Sequence, residues 1–290
     1  MDLIKQLEEF LNEDNSQNDI TTLTVLSALG KDPVYEFHLV SRWDGVFSGR
    51  AWLNLFSERF SNSAFVWSLL PEEGAEIEKG KVFASGKAPV SLILSLERTL
   101  LNGLQYFCGI ASEAKRFSLR VDAIAREKDI PTPLLLHTRK ILPGLRPYIM
   151  QALQSGGIAK HRETLSDRFL LKDNHRELLA AGGMSLKSFL AKVPKNVLKD
   201  GLFEADSEIE AQTFIEEGVQ HLLLDNFTPS RLVDFLPTLP KNVSIEVSGG
   251  IRFENLADFI IPGVHRISVG ALTHSTRSLD ISLDLGSQCS

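Results

Sequence analysis

Six short apolar runs follow one another through the second half of the chain: Leu134-Leu135-Leu136, Phe169-Leu170-Leu171, Leu202-Phe203, Leu222-Leu223-Leu224, Val243-Ser244-Ile245 and Ile267-Ser268-Val269. The stretches between them are long enough for a crossover helix, which parallel pairing of successive strands requires. Near-continuous apolar character fits strands covered on both faces. Six such units predict parallel strands in one sheet, with a barrel as the expected architecture. Each run hands over to polar or glycine residues, in turn Arg139 and Lys140, Lys172, Glu204, Asp225, Ser248-Gly249-Gly250, and Gly270-Ala271. In a parallel barrel these strand ends converge on one face. A polar residue after one strand is ordinary loop chemistry, but six in succession describe a ring of site residues. An open doubly wound sheet would gather a ligand in the same way, yet no G-x-G-x-x-G follows a first strand.

The first part of the chain has a different texture. Residues 1–9 form an acidic amphipathic pattern that predicts a helix, and from Tyr35 to about Gly86 short β-like segments are punctuated by glycines. From Ser91 to about Ser118 the residues Leu92, Leu96, Leu100, Leu104 and Phe107 recur at helical spacing with no proline, predicting a long helix or a helix pair. The expected division is a first domain over residues 1–116, a barrel over 117–275, and a return to the first domain by 276–290, where Leu279 to Leu285 alternates with period two.

The chain has 290 residues, which allows one large domain or two modest ones. A net charge of -6 disfavours nucleic acid as a partner, and an anionic substrate would need a local basic pocket. Two cysteines, Cys108 and Cys289, give neither a disulfide framework nor a metal-ligand spacing. There is no signal-peptide pattern at the start and no apolar run near the roughly 18 residues of a membrane span, so the cytoplasm is the expected location.

Arg98, Arg139, Lys140, His161, Arg162 and Lys172 are dense cationic positions in an acidic chain. Guanidinium forks match carboxylates and phosphates, and a ligand with several negative charges is expected. Glu204 and Asp225, at neighbouring strand ends, suit ribose hydroxyls or a hydrated divalent metal. Ser248-Gly249-Gly250 leaves backbone N–H groups uncovered for a phosphate. Taken singly, each has an ordinary structural explanation: a solvated ion pair, a helix cap or a turn.

In order along the chain stand Glu97-Arg98-Thr99-Leu100-Leu101-Asn102-Gly103-Leu104-Gln105, Thr138-Arg139-Lys140 with Pro143-Gly144-Leu145-Arg146, His161-Arg162, Lys172-Asp173-Asn174-His175, Leu224-Asp225-Asn226, Ser248-Gly249-Gly250 and Ser268-Val269-Gly270-Ala271-Leu272-Thr273. This set resembles the quinolinate phosphoribosyltransferase family over nearly the whole chain. The resemblance implies an N-terminal α/β sandwich domain followed by an open or incomplete α/β barrel of TIM-like kind. It further implies transfer of phosphoribosyl from phosphoribosyl pyrophosphate to quinolinate, with loss of carbon dioxide and pyrophosphate, in de novo NAD biosynthesis. Carried over, Arg98, Thr138, Arg139, His161, Arg162 and Lys172 would bind quinolinate. Lys140, Lys172, Glu204, Asp225, Ser248, Gly249, Gly250, Val269, Gly270 and Ala271 would bind phosphoribosyl pyrophosphate, with Lys140, Glu204 and Asp225 catalytic. Magnesium would be held indirectly through Glu204 and Asp225, and a homodimer would contribute Arg98 across its interface. No membrane partner is implied.

Several positions depart from the family pattern: His137 replaces an aspartate, Ile141 a threonine and Ile158 a glycine, and the segment from Glu13 to Thr21 lacks its glycines. Two rivals remain: a molybdenum-locus paralogue with another phosphoribosyl acceptor, which tends to lose the K-D-N-H motif kept here, and a silent anion-binding homologue.

Overall fold

The computed structural model describes residues 2–289. The chain divides into two units: the first holds residues up to Lys115, Leu142–Gly156 and the chain from Thr276 on, and the second holds Arg116–Ile141 and Gly157–Ser275.

In the first unit the strands are β1 (Val34–Ser41), β2 (Gly45–Val46), β3 (Val66–Leu69), β4 (Glu76–Ile77), β5 (Val82–Pro89) and β12 (Ile281–Gln288). Four of them make an antiparallel sheet in the order β12-β1-β5-β3, while β2 pairs with β4. The expected return of the C-terminal segment is present: β12 lies antiparallel along β1, with Phe37 opposite Leu285 and Leu39 opposite Leu283. The amphipathic start is helix α1 (Leu3–Glu13), which buries Leu7 and Leu11 and is capped by Asp2. Helix α2 (Ile20–Leu29) is capped by Asp19, whose carboxylate accepts the Thr21 and Thr22 N–H groups at 3.0 and 3.2 Å.

The region read as strand-rich also contains helix α3 (Arg50–Arg59). It buries Trp52, Leu53, Leu55 and Phe56, a helical stripe hidden among the glycines. Helix α4 (Val90–Glu127) is one continuous helix of 38 residues, longer than its apolar spacing suggested, and the boundary between the units falls inside it. Gly103 is obligatory there, since a Cβ would stand 2.6 Å from the Trp52 indole. That indole donates to the Leu100 carbonyl at 3.0 Å. Helix α5 (Arg146–Ser155) completes the unit, with the Tyr148 ring 5.5 Å from Trp52 and nearly perpendicular to it.

The second unit is built on β6 (Leu134–Leu136), β7 (Leu170–Leu171), β8 (Leu202–Ala205), β9 (His221–Asp225), β10 (Ser244–Ser248) and β11 (Arg266–Ser268). All six predicted runs are strands, in one parallel sheet ordered β6-β11-β10-β9-β8-β7. The first strand of the unit pairs with the last, the pattern of a sheet curling back on itself, but β6 and β7 are not paired. The result is an open α/β barrel. At the open edge Ala159 makes a single parallel bridge to Leu136. Helices follow the strands, among them α6 (Asp173–Ala181) after β7. One face of the sheet is apolar, with Leu222, Leu224, Ile245, Val247 and Ile267 at 2 % exposure or less. The alternation of strand side chains puts Leu223, Asp225, Glu246, Ser248 and Ser268 on the other face. No helix among the described residues is long and apolar enough to cross a membrane.

Candidate active site

The strand ends of the second unit surround a cavity of about 610 Å³. Its wall includes Thr138, Arg139 and Lys140 after β6, His161 and Arg162 from the segment on the open edge, and Lys172 at the end of β7. Glu204 of β8, Asp225 of β9, Ser248-Gly249-Gly250 at the end of β10, and Gly270-Ala271 after β11 complete it. The sequence therefore placed nearly every expected residue on one cavity. Val269 is not in the wall: it is fully buried, and its N–H donates to the Leu136 carbonyl at 3.0 Å. Arg98 belongs to the first unit, where its side chain is 70 % exposed on α4 beside Glu97 at 3.4 Å.

The cations are held by different devices. The Lys172 N–H donates to His175 Nδ1 at 2.9 Å, so His175 caps the start of α6 rather than facing the ligand space. The Lys172 ammonium meets Glu204 Oε2 at 2.7 Å. Glu204 is 4 % exposed, and its other oxygen accepts the Asp173 N–H at 3.3 Å. Arg162 donates to the Arg168 carbonyl at 3.3 Å, but its Nε is buried without a partner. Burial and the nearby Arg139 guanidinium both lower the Arg162 pKa, the strain of crowded cations that an anion would relieve. Lys140 is anchored by its backbone, with its N–H 3.3 Å from Thr138 Oγ1 and its carbonyl accepting the Thr273 hydroxyl at 2.7 Å.

At the end of β9 Asp225 accepts hydrogen bonds from the Ser248 hydroxyl and, at 2.7 Å, from Asn226 Nδ2. Gly249 and Gly250 have φ of +97° and +62°, which only glycine adopts without strain in succession. A Cβ on Gly250 would meet nothing within 4 Å, so this turn presents bare backbone to the cavity. Among the described residues no group of three or more His, Cys, Asp and Glu side chains could hold a metal by itself. Glu204, bonded to Lys172, and Asp225, bonded to Ser248 and Asn226, would meet a hydrated cation only through its water ligands.

Sequence reasoning missed Glu246, Ser268 and Arg252 in the wall, which His274 also lines. Glu246 is completely buried on the middle of β10. Its Oε1 accepts the Ser268 hydroxyl at 2.6 Å and stands 3.2 Å from His161 Nε2, without hydrogen-bond alignment to the imidazole; Oε2 has no partner. Glu246 follows the run Val243-Ser244-Ile245, and the alternation there was its only signal.

Residues 19–108 match the model of the quinolinate phosphoribosyl transferase N-terminal domain, and residues 110–284 that of the C-terminal domain. The chain belongs to the quinolinate phosphoribosyl transferase family. Within that family it is 32 % identical to the probable nicotinate-nucleotide pyrophosphorylase (carboxylating) of Bacillus subtilis, over 98 % of this chain and 94 % of that protein. It is 33 % identical to the Mycobacterium leprae nicotinate-nucleotide pyrophosphorylase (carboxylating), over 92 % of this chain and 91 % of the relative. The crystal structure of the Ehrlichia chaffeensis nicotinate-nucleotide pyrophosphorylase superposes with a TM-score of 0.85 at 26 % identity, covering 99 % of each chain. As a family member, this chain is a mixed α/β protein with an N-terminal sheet domain and a C-terminal parallel-sheet domain.

Proposed function

We infer that this quinolinate phosphoribosyl transferase family member converts quinolinate and phosphoribosyl pyrophosphate to nicotinate mononucleotide, carbon dioxide and pyrophosphate. The observation that carries this reading is that one cavity gathers the cations Arg139, Arg162 and Lys172 together with the carboxylates Glu204 and Asp225 and the bare glycine backbone of Ser248-Gly249-Gly250. A dicarboxylate and a sugar phosphate need those groups at once.

In this scheme Thr138, Arg139, His161 and Arg162 hold the two carboxylates of quinolinate, and Lys172 shares its ammonium between quinolinate and the pyrophosphate. The ring nitrogen donates its lone pair to C1 of the ribose as the bond from C1 to the pyrophosphate oxygen breaks. Positive charge builds on the sugar, where Glu204 and Asp225 oppose it, and negative charge builds on pyrophosphate beside Lys140 and Lys172. Ser248, Gly249, Gly250, Gly270 and Ala271 cradle the 5'-phosphate. Glu204 and Asp225 would hold magnesium through water, and the ion would supply charge neutralisation of the pyrophosphate. In the nucleotide so formed the ring nitrogen is cationic, so the electron pair of the bond to the 2-carboxylate is accepted at the ring carbon, carbon dioxide leaves, and a solvent proton replaces it. This chemistry asks little acid or base catalysis of the chain.

The same reading includes a cytoplasmic homodimer in which Arg98 enters the partner's site. Its support is the exposure of Arg98 together with α2, which leaves Ile20, Leu23, Val25 and Leu29 between 47 and 80 % exposed. The test of the reaction is to supply the protein with quinolinate, phosphoribosyl pyrophosphate and magnesium, and to quantify nicotinate mononucleotide and pyrophosphate, with nicotinate as control acceptor. Product from quinolinate alone is expected. Product from neither acceptor overturns the assignment and favours the paralogue or the silent homologue.

A further inference from the structure

The open edge of the barrel contains a feature that the reaction scheme leaves unused. Ala159 donates its N–H to the Leu135 carbonyl at 2.8 Å and bridges to Leu136 in parallel. Continued by one rung, such a ladder would bring the His161 N–H to the main-chain carbonyl of residue 137. Instead the His161 N–H donates to the imidazole Nε2 of His137 at 3.2 Å. The His137 side chain takes the place of the missing rung.

The tautomer follows from the donor. Because Nε2 accepts a backbone N–H, it carries no proton, and the proton must sit on Nδ1, which faces the Thr138 carbonyl at 3.3 Å. The ring is 2 % exposed, so no other orientation trades these bonds for water. It thus ties together the two segments that carry Thr138-Arg139-Lys140 and His161-Arg162, which the sheet itself leaves unpaired beyond Ala159. On the far side, His161 Nε2 lies 3.2 Å from the buried Glu246 carboxylate.

We propose that His137 is a positioning residue for quinolinate binding: its imidazole, as acceptor of the His161 N–H, closes the last rung of the open barrel edge and fixes His161 and Arg162 in the cavity wall. The proposal rests on the transferase reading above for its kinetic consequence but not for its geometry. The burial that holds the ring also pushes the His137 pKa below the ordinary histidine value of 6.5. His161 and Lys160 also oppose its protonation, while the bond to Thr138 and the charge of Glu163 favour it. The neutral acceptor is therefore present at neutral pH. It is lost only as pH falls through a value below 6.5, where a proton on Nε2 would face the His161 N–H and break the rung.

Two substitutions separate the acceptor from the shape of the ring. His137→Phe keeps an aromatic ring and removes the acceptor. His137→Gln keeps an acceptor near the position of Nε2 and does not titrate. The expected results are a KM for quinolinate raised about tenfold or more in His137→Phe, on the order of one lost hydrogen bond to the site, with KM for phosphoribosyl pyrophosphate nearly unchanged. His137→Gln should recover most of that loss, and the acid limb of its kcat/KM for quinolinate should recede to lower pH. Amide hydrogen exchange at His161 should be protected in the wild type and in His137→Gln and fast in His137→Phe. Nitrogen-15 shifts of the wild type should report the Nδ1–H tautomer at His137. Wild-type KM and His161 protection in His137→Phe, or the Nε2–H tautomer in the wild type, would overturn the proposal. Tautomer and exchange need no turnover, so absent product would count against the reaction and leave the positioning role to be decided by these two measurements.

Discussion

At the scale of single residues, the cavity depends on a few positions where the backbone itself is functional. Gly249 is the sharpest case: its φ is +97°, and a Cβ there would lie 2.6 Å from the Asn226 nitrogen and against the Asn226 side-chain oxygen. Asn226 is in turn at φ +56° and donates its N–H to the Ser248 carbonyl at 3.0 Å, so neither chain segment has room to yield. Gly249→Ala should therefore cost about 1–3 kcal/mol of stability from backbone strain and raise KM for phosphoribosyl pyrophosphate about tenfold. Steady-state kinetics with each substrate varied would show the second substrate, quinolinate, much less affected. By contrast Cys108 is chemically quiet. It is fully buried, its thiol is pushed up to about 12, and it exchanges weak hydrogen bonds with the Ser48 backbone.

Elements were legible to different degrees, and for identifiable reasons. The six barrel strands were readable because strands covered on both faces leave short apolar runs, and the residues after them were readable because loops at one barrel face carry the chemistry. Helix α3 was not, since Trp52, Leu53, Leu55 and Phe56 stand among glycines that suggested turns. Glu246 was hidden for the opposite reason. A buried carboxylate in the middle of a strand contradicts the apolar pattern used to find the strand, and only the pairing of Glu246 with Ser268 and its approach to His161 explain its presence. The crossover helices themselves are supported by ordinary caps. Ser207 begins the helix Glu208–Glu216, and its hydroxyl accepts the Glu210 N–H at 3.3 Å. Ser207→Ala should lower stability by about 1 kcal/mol with KM values unchanged, a result that thermal unfolding and kinetics together would establish.

At the scale of the molecule, assembly and activity become one question. If Arg98 serves the partner's cavity, an Arg98→Ala chain and a Lys172→Ala chain, each weakly active alone, should regain activity when mixed and allowed to exchange subunits. Hybrid dimers would contain one cavity with both native residues. Leu23→Asp, at an exposed position of α2, should shift sedimentation toward monomer and reduce activity in parallel. Full activity in a monomeric variant would remove the case for a shared site. Sequence could supply the exposed position of neither Arg98 nor α2, because the pattern of residue types does not show whether a helix packs within the chain or faces outward.

The pairing of β12 with β1 also bears on how the protein is made. The strand that completes the first sheet is translated only after all of the barrel sequence, so for most of synthesis β1 offers a bare edge along Val34–Ser41. A ribosome that stops between Ser275 and Ile281 releases a chain whose barrel sequence is intact but whose first sheet has an adhesive edge. Termination in that interval should thus produce aggregation rather than a smaller working enzyme.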